Sequence, residues 1–229
     1  MMNRGSKMTP NEEDYLKIIM ELGGDVHKVS NKQIVASLNV SAASVSEMVS
    51  KMVAQKLVTH TRYQGIQLTK PGVKQAARLV RNHRLWEVFL MKQLLYPYDA
   101  LHAVAEGLEH ATTDDLARRL DYLLDHPKYC PHGGVIPDEE GNFERRELTK
   151  LSDLDVSDKA QVARVIDEPS LLDYLGVLDI KIDDSLYVLS KTPTLLTARN
   201  SRNRKVITIQ TVNAANVFME DITHTTNLD

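Results

Sequence analysis

The apolar pattern of the chain changes near Leu57, and this change constrains the fold of the amino-terminal part most strongly. Before Leu57, one helical face carries Val45, Met48, Val49, Met52 and Val53, which must be buried against other helices. After it, residues 58–63 and 66–69 alternate around Gln64-Gly65, a pattern typical of a β-hairpin that turns at the glycine. The sequence predicts a small helical unit closed by a hairpin.

Two shorter helices precede the apolar stripe. The first carries apolar residues at helical spacing from Tyr15 to Leu22 and ends at Gly23-Gly24. Ser30 with Gln33 forms a capping box for the second helix, and Ser41 caps the third. Helix, helix, turn, helix and hairpin is the order of a winged helix-turn-helix domain, which we predict over residues 9–72. Residues 1–8 show no periodicity and are expected to be a flexible start.

The third helix begins with small polar residues, which matters because a recognition helix places its first residues against base edges in the major groove. We expect Ala43, Ser44 and Glu47 to contact bases and Ser41 to cap the helix. Basic side chains on the helix and at the hairpin, Lys51 and Arg62, are expected at phosphates. The alternative is a helix-hairpin unit that mediates protein contacts only.

The charge distribution favours the DNA-binding interpretation. Residues 1–80 contain 11 Lys and Arg against 6 Asp and Glu, a net charge of +5, whereas residues 81–150 and 151–229 each have −4. A basic head on an acidic body is typical of a protein that binds a polyanion, although such an imbalance also arises by chance. Overall, 42% hydrophobic and 26% charged residues indicate an ordinary globular protein.

The cysteine count and the absence of long apolar runs bear on the compartment. The only cysteine, Cys130, has no partner for an intramolecular disulfide. No run of about 18 apolar residues and no charged-then-apolar leader is present. We therefore expect a cytoplasmic protein that does not bind membranes.

Beyond the hairpin, the pattern predicts a helical part followed by a β-rich part. A long helix is expected from Pro71 to Pro97, with further helices over 99–111 and 113–127. These form a helical domain at 73–130, typical of dimerisation, and a connector at 131–155 follows. Short alternating runs at 160–166, 180–182, 186–189 and 205–209 predict a small barrel-like domain over 156–225. The predicted fold class is mainly α with a β carboxyl-terminal domain.

One predicted helix carries a set of residues typical of metal ligands. His102, Glu106, Glu109 and His110 span only about 100° of the helix circumference. On the preceding helix, His83 and Glu87 are one turn apart. Metal sites need ligands that converge from rigid elements, but a solvated polar face would have the same pattern. No His-Glu-x-x-His motif or catalytic triad is present, so a sensor is favoured over an enzyme.

Several segments resemble the diphtheria toxin repressor family of metal-dependent transcriptional regulators. They are Glu13-Asp14-Tyr15-Leu16, residues 41–52, Leu68-Thr69-Lys70-Pro71-Gly72, His83-Arg84-Leu85-Trp86-Glu87, Glu106-Gly107-Leu108-Glu109-His110 and residues 130–137. The resemblance covers about residues 8–220. It implies a homodimer that binds a double-stranded DNA operator when a divalent metal is bound, metal-homeostasis genes as targets, and an SH3-like (FeoA-like) third domain.

The resemblance also implies two ligand sets. The first is Asp14, Glu106, Glu109 and His110. The second is His83, Glu87, His102 and Asp167, with Cys130 as a further ligand. Similar iron-type regulators have sulfur ligands at positions 14 and 106, whereas this chain has carboxylates, which suit Mn²⁺. We expect Mn²⁺, with Fe²⁺ the close alternative and Zn²⁺ also able to bind. One departure is Lys17, where short manganese-type members carry a further carboxylate.

Four interpretations stay open at this stage. Cys130 is a buried apolar residue, a ligand or a redox sensor, and His132 is favoured as a loop residue over a ligand. The basic cluster from Arg199 to Lys205 is either a solvated hairpin tip or a further contact to DNA or another domain. The alternative function is a winged-helix regulator that responds to an organic ligand or a protein partner.

Overall fold

The computed structural model describes residues 8–224, and the expected flexible start falls, apart from Met8, outside the described residues. The chain forms two compact units. The first comprises the described chain up to Trp86 together with Glu106–Asp125 and Ile136–Phe143. The second comprises Glu87–Ala105, His126–Val135 and the described chain from Glu144 onward. Among the described residues, no helix combines the length and the apolar composition of a membrane span.

The first unit begins with the predicted order of helices and hairpin. Its elements are α1 (Pro10–Glu21), α2 (Asn31–Leu38), α3 (Ala42–Ala54), β1 (Val58–Thr61) and β2 (Gly65–Leu68). The predicted caps are present, since Ser30 accepts from the Gln33 amide and Ser41 from the Ser44 amide. The antiparallel strands pair Val58 with Leu68. The hairpin turns at residues 62–64, and Gly65, with φ +123°, is the first residue of β2.

Most of the predicted apolar stripe of α3 is buried. Val45, Val49 and Met52 are inaccessible and pack with Ile19, Ile34 and Ile66 in one core. Met48 is partly buried. The prediction was wrong for Val53, which is 40% exposed. At 100° per residue it lies at the edge of the stripe, about 80° from Val45, where the core no longer covers it.

Three helices follow the hairpin. They are α4 (Lys70–Leu94), α5 (Leu101–Glu109) and α6 (Asp114–Leu123), and a 3₁₀ turn over Tyr98–Ala100 precedes α5. Thr113 caps α6 by accepting from the Leu116 amide. Helices α4 and α5 each contribute residues to both units.

The second unit contains an antiparallel sheet. Its strands are β3 (Thr149–Lys150), β4 (Asp158–Val165), β5 (Ser185–Lys191), β6 (Leu195–Asn200), β7 (Val206–Gln210) and β8 (Val217–His224). They are ordered β3-β8-β4-β5-β6-β7 in the sheet. Along the chain, α7 (Pro169–Val177) lies between β4 and β5, and α8 (Thr211–Ala214) lies between β7 and β8. The core contains Val162, Leu186, Leu196, Ile209 and Met219.

The predicted strand at residues 180–182 is wrong. The segment forms a turn, because the Lys181 amide donates to Asp184 Oδ2 at 3.0 Å and the Asp183 amide donates to the Val162 carbonyl. The alternating apolar residues there close the core without pairing as a strand. The sequence did not predict β6, β8 or α7.

In the basic cluster near the β6–β7 connection, Arg202 and Lys205 pair with carboxylates. Arg202 Nη2 donates to Asp179 Oδ1 and Asn203 Nδ2 to Asp179 Oδ2, each at 2.9 Å. These two hydrogen bonds, from Asn203 first and then Arg202, lower the pKa of Asp179 from 3.8 to about 2. Arg202 is therefore engaged within the domain.

Asp179 predicts an acid-sensitive stability. Because its pKa is lower folded than unfolded, its contribution is complete above pH 3.8 and is lost as the pH falls toward about 2. The free energy of unfolding of the wild type should fall between pH 5 and pH 2.5, and we expect this fall to be smaller in Asp179→Asn. Urea denaturation at each pH measures it. Asp173→Asn, on an exposed position of α7, is the control. If the free energy of unfolding fell equally with pH in the wild type and in Asp179→Asn, this assignment would be wrong.

Candidate metal centres and DNA interface

The first cluster consists of Asp14, Glu109 and His110, which each offer one ligand atom within 4.8 Å of the others. Asp14 lies on α1, whereas Glu109 ends α5 and His110 follows it. His110 Nε2 is 3.0 Å from Asp14 Oδ1 and 3.6 Å from Glu109 Oε1. Burial raises the pKa of Asp14, and the neighbouring His110 partly offsets that rise. Two carboxylates and one imidazole form a donor set that a divalent cation fits.

Glu13 orients the imidazole of this cluster. Its Oε2 is 2.7 Å from His110 Nδ1, so an Nδ1–H that donates to Glu13 leaves the Nε2 lone pair directed at Asp14. Metal-binding histidines commonly use such a carboxylate to fix the tautomer. Sequence reasoning missed Glu13, although its position beside Asp14 in the first turn of α1 was available.

Among the described residues, Glu106 is not one of those whose ligand atoms form the first cluster. Its Oε1 lies 3.9 Å from Lys17 Nζ, and its side chain is 54% exposed. The ammonium group attracts this carboxylate at the edge of the cluster. A ligand role for Glu106 therefore stays a prediction.

Lys17 occupies the interior beside the first cluster and is 3% exposed. Its Nζ donates to both oxygens of Glu109, at 3.0 and 2.9 Å, and lies 3.2 Å from His83 Nδ1. Burial would lower the pKa of Lys17, but Glu109 and then Glu21 raise it above its usual value. Burial likewise opposes ionisation of Glu109, but hydrogen bonding to His83 and the charge of Lys17 lower its pKa.

The second cluster lies in the second unit and contains Glu87, His102, Cys130, His132 and Asp167. Glu87, His102 and Asp167 each offer a ligand atom within 4.8 Å of the others, and Glu87, Cys130 and His132 do the same. His102 Nδ1 is 2.9 Å from Asp167 Oδ2, and His132 Nδ1 is 3.0 Å from Glu87 Oε1. His83, predicted for this set, is one turn before Glu87 on α4, and its Nδ1 contacts Glu109. Its role as a ligand of the second set stays a prediction.

His132 is the ligand candidate that sequence reasoning set aside. It lies in a loop, as expected, but is 1% exposed, and its ring is 4.5 Å from that of Tyr98. Its Nε2 is buried without a hydrogen-bond partner in the described part of the chain. Buried imidazole nitrogens normally have a partner, so this atom fits coordination of a cation. The signal available in the sequence was its spacing of two residues from Cys130.

Backbone hydrogen bonds fix the loop that carries Cys130 and His132. The Cys130 amide donates to the Gly134 carbonyl, and the Gly133 amide donates to the Cys130 carbonyl, both at 2.9 Å. The Val165 amide, at the end of β4, donates to the His132 carbonyl at 3.0 Å. Asp167 follows two residues later, so β4 positions both the loop and this carboxylate. Cys130 is buried.

The candidate DNA-binding residues lie on the exposed face of α3 and at the hairpin. Ala43, Ser44 and Glu47 are exposed, and the Ser44 hydroxyl lies 2.8 Å from that of Ser41. Arg62 is exposed at the hairpin turn, with its guanidinium 4.8 Å from the ring centroid of Tyr63. Tyr63 itself is 91% exposed, a feature that sequence reasoning did not use.

Glu12 links α1 to the end of α3. Its carboxylate accepts from the Thr9 amide at 2.8 Å and from Gln55 Nε2 at 2.7 Å, and it pairs with Lys51 Nζ at 3.2 Å. These bonds, that of Thr9 foremost, lower the pKa of Glu12 to about 2. Lys51, expected at phosphate, is therefore engaged with Glu12, although its side chain is 53% exposed.

Two family models match adjoining parts of the chain. Residues 7–66 match "Iron dependent repressor, N-terminal DNA binding domain", and residues 69–138 match "Iron dependent repressor, metal binding and dimerisation domain". The regulator MntR from Shouchella clausii is 33% identical over 118 residues, which are 52% of this chain and 82% of that protein. The chain belongs to the family of iron-dependent repressors, also called the diphtheria toxin repressor family. The family consists of transcriptional repressors and not of enzymes.

Solved structures extend the likeness of this repressor-family chain to its third domain. The manganese regulator SloR is 40% identical, with a TM-score of 0.81 over 93% of this chain and 99% of that one. A manganese-dependent transcriptional repressor in complex with manganese is 31% identical, with a TM-score of 0.79 over 91% and 99%. These findings confirm the predicted resemblance and fold class.

Two other curated relatives are matched over less of their length. This family member is 30% identical to the iron-dependent repressor IdeR of Mycobacterium tuberculosis over 132 residues, which are 57% of that protein. It is 46% identical over 70 residues to a probable metal transport system membrane protein of Chlamydia trachomatis, of which it spans 16%.

Proposed function

We propose that this family member is a cytoplasmic, manganese-responsive repressor that binds a double-stranded DNA operator as a homodimer and controls metal-homeostasis genes. One observation carries the proposal. Asp14, on α1 of the matched DNA-binding domain, lies within ligand distance of Glu109 and His110 in the matched metal-binding domain. A ligand set divided between these two domains couples metal binding to the position of the DNA-binding helices.

The coupling follows from the charges of the first cluster. The carboxylates of Asp14 and Glu109 repel each other when both are ionised, and the ammonium group of Lys17 pairs with Glu109. A divalent cation bound among Asp14, Glu109 and His110 adds positive charge beside both carboxylates. The metal ion then favours the conformation in which α1 lies against the end of α5. The gain in affinity for DNA is limited by the difference between the metal affinities of this conformation and of the others.

The metal ligands are part of the proposal. Asp14, Glu109 and His110, with Glu106 at the edge, offer mainly oxygen and favour Mn²⁺. The second cluster adds a thiol to its carboxylates and imidazoles, and thiolates favour Zn²⁺ and other softer ions. We infer that the two clusters differ in metal preference and that the manganese response comes from the first.

The DNA contacts are also part of the proposal. Ala43, Ser44 and Glu47 would face base edges, and Ser41, Lys51 and Arg62 would lie near phosphates. Their exposure on one face of α3 and at the hairpin turn supports this assignment. We further propose the domain division at 9–72, 73–130, 131–155 and 156–225.

Replacing Asp14 by alanine tests the coupling. We expect Asp14→Ala to reduce Mn²⁺-stimulated operator binding about 5- to 150-fold, the usual range of allosteric coupling, and to leave the fold intact because Asp14 is only partly buried. The measurement is fluorescence anisotropy with a pool of promoter fragments at fixed salt, with Mn²⁺, Fe²⁺ or Zn²⁺ titrated against chelator.

The control is Asp173→Ala, which removes an exposed carboxylate from α7 and should retain wild-type metal stimulation. Metal stimulation of Asp14→Ala equal to that of the wild type would contradict the coupling. DNA binding of the wild type that is indifferent to chelator would instead favour a regulator of an organic ligand or a protein partner.

A further inference from the structure

The ammonium group of Lys17 lies beside the first cluster, next to the buried carboxylate of Glu109. We propose that its ammonium group is a built-in cation that occupies one cation position beside the first cluster, so that this cluster binds a single divalent ion. The inference rests on the proposed metal-dependent function and deepens it, because it names the residue that sets the number of ions.

The contacts of Lys17 are those of an ion rather than of a surface lysine. Nζ lies 3.0 and 2.9 Å from the two oxygens of Glu109, so it faces both ends of the carboxylate. It also lies 3.2 Å from Nδ1 of His83. A second divalent ion held by Glu109 and this face of His83 would need the volume that Nζ fills.

The local charges support the same conclusion. Glu109 carries the only carboxylate that is fully buried in the first cluster, and Lys17 already compensates it. Asp14 and His110 contact each other on the other side, at 3.0 Å, and Oε1 of Glu109 is 3.6 Å from His110 Nε2. One divalent ion among these three groups brings the local charge near balance, whereas two ions beside a buried ammonium would repel it strongly.

The ammonium group of Lys17 also lies beside Glu106. Because Nζ is 3.9 Å from its carboxylate, Lys17 gives Glu106 a partner outside the first cluster. A carboxylate at position 17 would reverse this arrangement. It would repel Glu106 and Glu109, and the resulting cluster of negative charges would attract a further cation.

The experiment counts metal ions. Mn²⁺ bound per chain is measured by equilibrium dialysis on the full-length wild type and on Lys17→Glu, and electron paramagnetic resonance tests whether two Mn²⁺ ions are close enough to couple. We expect Lys17→Glu to bind one more Mn²⁺ than the wild type and to gain a coupled-pair signal. The additional ion should be lost again when Asp14→Ala is combined with Lys17→Glu.

Two further variants separate charge, position and folding. Lys32→Glu makes the same charge change at an exposed position on α2, and its Mn²⁺ count should equal that of the wild type. Lys17→Gln removes the ammonium without adding a carboxylate, and we expect it to bind Mn²⁺ at the first cluster at least about tenfold more tightly, since a like charge is gone. Circular dichroism verifies that each variant is folded.

Either of two results would overturn the inference and leave the proposed function intact. One is a coupled pair of Mn²⁺ ions in the wild type that disappears in Asp14→Ala. The other is a metal-responsive wild type whose count and affinity are the same in folded Lys17→Glu and Lys17→Gln. Absence of Mn²⁺ binding in the wild type, together with DNA binding indifferent to metal, would overturn the proposed function and the inference with it.

Discussion

Replacing Glu109 by alanine is expected to lower the free energy of unfolding by about 3–5 kcal/mol, the usual loss when one partner of a buried ion pair is removed. Glu109 is 1% exposed and Lys17 is 3% exposed. Without the carboxylate, the ammonium stays buried with only the half-exposed Glu106 carboxylate nearby, at 3.9 Å, and His83 loses its hydrogen bond to Glu109. Urea denaturation in the presence of a chelator measures this loss separately from any effect of metal.

A double variant distinguishes the buried charge from lost packing. Because apolar residues of similar volume often replace a buried ion pair without loss, Lys17→Met with Glu109→Met should be more stable than Glu109→Ala. Glu106→Ala is the matched single control, since its exposed ion pair with Lys17 should contribute at most about 1 kcal/mol. If the double variant were as unstable as Glu109→Ala, the buried ammonium would not be the cause.

Gly133→Ala is expected to disrupt the second cluster. An added Cβ would lie 2.0 Å from the Ala163 carbonyl oxygen, and the φ of Gly133 is +79°, a conformation that alanine disfavours. The loop that contains Gly133 must then move away from β4, which displaces Cys130 and His132. We expect about 10- to 100-fold weaker Zn²⁺ binding at this cluster, as for loss of supporting contacts, and about 1–3 kcal/mol of lost stability.

Competition with a chromophoric chelator measures the Zn²⁺ affinity. Gly176→Ala is the matched control, because an added Cβ there meets no atom within 4 Å and helical alanine is favoured over glycine. It should bind Zn²⁺ as the wild type does. Unchanged Zn²⁺ affinity in Gly133→Ala would show that the loop does not hold the ligands in place.

Local signals predicted the parts of the fold that depend on neighbouring residues. The caps at Ser30 and Ser41 and the buried face of α3 follow from spacings of three or four residues, which a sequence displays directly. The prediction failed at residues 180–182, where Asp184 and the Val162 carbonyl hold the backbone in a turn. Alternation alone does not distinguish a strand from a turn that closes a core.

The candidate sites were predicted in part for the same reason. Glu109 and His110 share a helix face, but the contact of Lys17 with Glu109 joins residues 92 positions apart. His132 reaches Glu87 across 45 positions, through a loop whose composition is typical of the surface. Sequence reasoning identified the residue types, whereas their distances depend on how β4 and the helices pack.

The amino-terminal part of α1 places three acidic residues in a row, and each contacts a different atom. Glu12 contacts the end of α3, Glu13 contacts His110 Nδ1, and Asp14 contacts His110 Nε2. Successive helical residues point 100° apart, so inserting or deleting one residue here would rotate all three carboxylates away from their partners at once. This part of α1 can therefore tolerate changes of residue type far better than any change of length, and alignments of related chains should be free of gaps between the cap at Thr9 and Lys17.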